Sequence, residues 1–132
     1  MMRRTTQRAL AVLLSLLALD ALWLGWLAAP VYRQSLGHLM APEPRWWAAL
    51  LFYLTYTLGL LVFVVPDGCG TTPWKAVARR GALYGLVAYA TFELTALAVL
   101  DQWPLGLPWL DMGWGALLSA VAALAGWSVD RG

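Results

Sequence analysis

Three carboxylic acids stand inside stretches otherwise suited to hydrocarbon: Asp20, Glu93 and Asp111. An ionisable side chain near the middle of a bilayer costs at least about 2.5 kcal/mol, so such groups usually face other helices or water, and they mark candidate sites of function. Aromatic groups stand at helical spacing from them. Trp23 and Trp114 each follow an acid by three residues, Tyr89 precedes Glu93 by four, and Tyr53 and Tyr56 are three apart on another apolar run. Carboxyls that converge in a low dielectric oppose one another's ionisation, so one of them can hold a proton at neutral pH and donate it. That is general acid–base equipment. The sequence therefore nominates Asp20, Glu93 and Asp111 as candidate catalytic groups. Trp23, Tyr53, Tyr56, Tyr89 and Trp114 are expected to wall a cavity around them, with Tyr32, Arg33 and His38 as its lid. The plainer alternative is that each acid is tied to a tyrosine, a tryptophan N–H or Arg33 only to hold helices together, with Asp111 capping a helix start. On the same plain reading His38 is solvated and Arg33 snorkels to headgroups.

The elements that must position these groups are membrane helices. The 132 residues are 61% hydrophobic and 12% charged, whereas soluble domains are about a quarter charged. About 20 apolar residues at 1.5 Å each cross a hydrocarbon core. Four runs qualify, at about 9–29, 46–65, 76–100 and 109–129, which predicts an all-α antiparallel bundle of four transmembrane helices forming one membrane domain over 1–132. The first run, after Arg3, Arg4 and Arg8 and ending at Ala28-Ala29, has the outline of a signal peptide. Its length, Asp20 and the following Pro30 favour a retained helix. Pro30 is expected to end that helix, and 30–45 to form a loop. Thr72 and Pro73 read as the cap and first turn of the third span. Gly81 and Gly85, like Gly115, Ser119 and Ala123, are small residues at helix-contact spacing. Nine tryptophans fit an interfacial belt, Trp46, Trp47, Trp74, Trp103, Trp109 and Trp127 among them. The lone Cys69 excludes an internal disulfide, and no Cys/His spacing suggests zinc. No cofactor is expected, and no basic stripe points to nucleic acid.

With four spans both termini share one side. That side and the middle loop carry Arg3, Arg4, Arg8, Lys75, Arg79, Arg80 and Arg131, against Arg33 and Arg45 opposite. The positive-inside rule then makes the termini cytoplasmic. Asp20 would lie about 14 Å, Glu93 about 10 Å and Asp111 about 5 Å from the outer boundary. All three belong to the middle or outer half.

Asp20-Ala21-Leu22-Trp23-Leu24-Gly25, Tyr32-Arg33 with Gly37-His38, the Pro44 to Trp46 entrance of the second span, Gly81 to Tyr89, and Asp111 with Trp114-Gly115 form one pattern. In it the chain resembles, over nearly its whole length, a bacterial family of small four-span inner-membrane proteins of unknown function. That family has a shorter acid where Glu93 stands and an amide where Ala96 stands. The resemblance implies topology and the choice of residues, and no reaction. From the residues, the expected function is binding of a lipid-like or other small apolar ligand in an acid-lined cavity facing the outer side, with acid–base catalysis open to it. One alternative is a proton-coupled small-molecule transporter working as a homodimer. The other is a non-catalytic accessory subunit of a larger membrane complex.

Overall fold

The computed structural model describes residues 2–131. Helix α1, Met2–Leu22, runs on through a π-helical stretch, Trp23–Leu27. It is followed by a short α2, Ala29–Leu36, and three long helices, α3 Trp46–Phe63, α4 Trp74–Val99 and α5 Leu107–Arg131. There is no strand among the described residues. Four helical segments are long and apolar enough to cross a membrane, Arg3–Leu27, Trp46–Phe63, Trp74–Val99 and Leu107–Arg131. The fold is an all-α, antiparallel bundle of membrane-length helices.

Two local expectations change. Pro30 does not end the first helix. The π stretch already turns the chain, with the Ala28 N–H reaching back five residues to the Trp23 carbonyl at 2.7 Å. Pro30 then sits in the first turn of α2, where a missing N–H costs nothing. Part of the expected loop is therefore helix, and it carries Tyr32 back over the bundle. Thr72 does not cap α4 with its side chain, and Pro73 flanks that helix instead of entering it. The Thr72 carbonyl accepts the Trp127 indole N–H at 2.8 Å instead. In the turn before it, Gly68 has φ +85°, a left-handed conformation that glycine adopts without steric cost.

Small residues set the closest packing. A Cβ on Gly81 would lie 2.9 Å from the Ser119 carbonyl, and one on Gly85 would overlap the Gly115 carbonyl, so α4 and α5 approach nearly backbone to backbone. The two small-residue ladders thus serve each other inside the chain. On its other side α5 meets α1, and α1 in turn carries α3. Val12 and Leu16 of α1, Leu60 of α3, Val77 of α4 and Leu118 and Ala122 of α5 fill the core between them. Helix α3 makes no comparable approach to α4. Their seam is bridged by tyrosines: Tyr84 donates to the Tyr56 carbonyl at 3.4 Å, and the two rings meet edge to face at 5.1 Å.

The end of the bundle that holds the chain termini is closed by a polar clamp. Arg8, 3% exposed, reaches Asp67 at 2.6 Å and Asp130 at 3.4 Å, and Asp130 also accepts the Gly70 N–H at 2.9 Å. The hydrogen bond and charge of Arg8 hold the Asp67 carboxyl below its ordinary value, while burial and then the nearby Asp130 charge push the Cys69 thiol up to about 11. Arg8, counted above as a charge for the membrane surface, is therefore spent inside the fold.

Candidate functional site

At the opposite end, the polar side chains of the bundle converge on a cavity of about 550 Å³. Each long helix contributes the half remote from the termini: Asp20 from α1 and Trp23 from the π stretch that continues it, Tyr53 and Tyr56 from α3, Tyr89 from α4, Asp111 and Trp114 from α5. Tyr32 enters from α2.

Asp20 is the best-held of the acids. It is 5% exposed; the Tyr53 hydroxyl donates to Oδ2 at 2.7 Å and the Trp114 indole N–H donates to Oδ1 at 3.0 Å. The same Trp114 ring stacks on Trp23, centroids 4.4 Å apart and planes 5° from parallel. Trp23 donates through Nε1 to the Tyr32 hydroxyl at 3.3 Å, and Tyr32 donates to Asp111. Burial, reinforced by the Asp111 carboxyl that accepts its hydrogen, holds the Tyr32 phenol above its ordinary value, so Tyr32 stays a donor. One chain of contacts thus runs from Tyr53 through Asp20, Trp114, Trp23 and Tyr32 to Asp111. It fastens four separate helices at one level.

Glu93 stands behind this wall. It is 1% exposed, accepts the Trp103 indole N–H at 2.9 Å, and lies within hydrogen-bonding reach of Asp111. It contacts the acid network without lining the cavity. Arg33 and His38 are exposed, on α2 and in the turn after it, and neither lines the cavity. Asp111 sits in the second turn of α5, with its side chain on Tyr32. Tyr89 lines the cavity and packs edge to face on Tyr56 at 6.1 Å, while Tyr56 shares a hydrogen bond with Ser119. The sequence brought forward eight of the lining side chains and missed Leu24, Ala49, Phe52, Ala88 and Phe92, apolar groups that look the same whether they face lipid or a cavity. It also placed Trp103 in the interfacial belt. Its place ten residues after Glu93, just before Pro104 where the chain turns back, was the available clue.

Carboxyls held by phenols and indoles beside an open space can do three things: accept a hydrogen-bond donor, neutralise a cation, or pass a proton. Fold and geometry together define a four-span helical membrane protein with an aromatic, acid-bearing cavity in one half of its bundle. The chain belongs to the family described as Predicted membrane protein (DUF2177), which matches residues 6–128. Comparisons with curated proteins and with solved structures yield no match.

Proposed function

We propose that this protein binds a lipid-like or other small apolar molecule in the cavity between its helices, in a bacterial inner membrane, with both termini cytoplasmic and the cavity on the outer side. The observation that carries the reading is the cavity itself. Its volume, about 550 Å³, lies within the roughly 300–1,000 Å³ range of small-molecule sites, and its wall combines many rings with two carboxyls, the usual mixture of apolar surface and a few fixed polar groups. The excess of basic residues at the terminal end supports the orientation, even with Arg8 engaged in the clamp. Asp111, linked to Glu93 behind it, supplies a route for a proton if the bound molecule is turned over. The ligand comes from the surrounding membrane lipid.

Native mass spectrometry of gently extracted protein tests this. The wild type should carry one lipid-like adduct per chain, and Asp20→Asn, which gives up one of the two bonds that Asp20 accepts, should still insert and fold, with a modestly lowered melting point, while losing most of it. A protein that flies empty overturns the reading. Empty homodimers would point to the transporter alternative, and stoichiometric foreign chains to the accessory subunit.

A further inference from the structure

Resting on that reading, we propose that the ligand is a single-chain amphiphile with a cationic amine head, the head seated between Asp20 and Asp111 and the tail lying along the α3–α4 seam. The charge balance points to the head. Asp20 and Asp111 accept from phenols and an indole and Glu93 accepts from Trp103, with Glu93 also standing against Asp111, and among the described residues no ion pair reaches any of the three; the ion pairs of Arg8 lie at the far end. A cationic ligand would supply the opposite charge that the fold leaves out.

The wall suits the same head. Trp23 and Trp114, stacked, together with Tyr53, Tyr56 and Tyr89, surround the space beside the acids, and aromatic faces attract ammonium groups most strongly where water is excluded. The seam points to the tail. Helix α3 leans on α1 and meets α4 mainly through the Tyr56–Tyr84 pair, so beyond that bridge the cavity is walled by Ala49 and Phe52 from α3 and Ala88 and Phe92 from α4. Ala88 also lines a second, mostly apolar groove of about 410 Å³ along the same seam, with Phe63, Leu83 and Val87 beside the Tyr84 ring and with Arg80 also in its wall. A hydrocarbon chain leaving the cavity therefore finds an apolar bed open to the bilayer.

Equilibrium binding of radiolabelled dodecyltrimethylammonium to the protein in phosphatidylcholine nanodiscs, corrected for empty discs, tests the assignment. Saturable binding of one molecule per chain is expected. Unlabelled dodecanol and dodecyl sulfate should compete at least about tenfold less well than the unlabelled cation, and tetramethylammonium, which lacks the tail, similarly poorly. Asp20→Asn and Asp111→Asn should each weaken binding about tenfold, Asp20→Glu should retain most of it, and Asp67→Asn at the far end should leave it unchanged. Thermal melting of each variant separates loss of binding from loss of fold. If dodecanol or dodecyl sulfate competes as well as the cation, the cationic head is refuted while the cavity remains a binding site. If tetramethylammonium competes equally, the tail assignment fails. If no probe binds saturably, both this inference and the reading beneath it fall.

Discussion

Asp20 takes hydrogen bonds from α3 and α5 at once, so one side chain of α1 ties its own helix to two others. Inside a bilayer such bonds contribute modestly, about 0.6 kcal/mol on average and up to about 1.7, because a separated helix finds other partners. Trp114→Phe keeps a ring to stack on Trp23 but removes the donor to Asp20. We expect it to destabilise the protein by about 1 kcal/mol, read by thermal or denaturant unfolding in mild detergent. Tyr32→Phe deletes a bond to Asp111 and a partner of Trp23 together, and should loosen α2 over the cavity. Faster amide hydrogen exchange confined to α2 would show it, and exchange rising equally through α4 would count against it. At this scale much was legible. A carboxyl in an apolar run announces that it needs a donor, and a tyrosine or tryptophan at helical spacing announces that it can be one. Which donor meets which acid was not legible: Tyr89, four residues from Glu93, lines the cavity, whereas Glu93 takes its hydrogen bond from Trp103.

Among the long helices α4 and α5 pack most closely, whereas α3 and α4, equally neighbours in sequence, make no comparable approach. The tight pair follows from glycines. Gly85→Ala puts a methyl group into the backbone of α5 and should cost about 1–3 kcal/mol, measured as a lowered unfolding midpoint, while the same change at Gly106, which has open space around it, should be nearly silent. This contact was readable, because small residues four apart on two spans have few other uses. The open seam was not. Apolar residues are spread all round α3, so its composition does not say which face is left without a helix, and the π stretch at Trp23–Leu27 has no proline or polar marker to give it away. The short α2 was hidden for a related reason: Pro30 can stop one helix or start the next, and only the preceding turn decides.

For the whole molecule, the two polar ends have different tasks. The Arg8 clamp binds the first helix, the middle turn and the end of α5 in one knot, and Arg8→Met would leave Asp130, 7% exposed at its side chain, without its cation. A loss of about 3 kcal/mol in unfolding free energy is expected, and a melting profile matching the wild type would show the clamp to be incidental. Asp67 adds a pH dependence. Its folded-state carboxyl is held below the usual 3.8, so its contribution is fully present above that value and disappears as pH falls through the lower folded-state one. Acid melting curves should therefore be flatter below 3.8 in Asp67→Asn than in the wild type. The membrane class and the four spans were plain from length and hydropathy, whereas this knot was not, since its arginine reads as an ordinary surface charge.

The partnership of Asp20 with Trp114 spans 94 residues of chain. A ribosome delivers α1 to the membrane long before α5 exists, so the nascent protein carries an acid in lipid whose final indole has yet to be made. Any chain stopped ahead of Leu107 is missing that contact permanently, and the insertion machinery must shelter the first helix, or let it wait near the surface, until translation is almost complete.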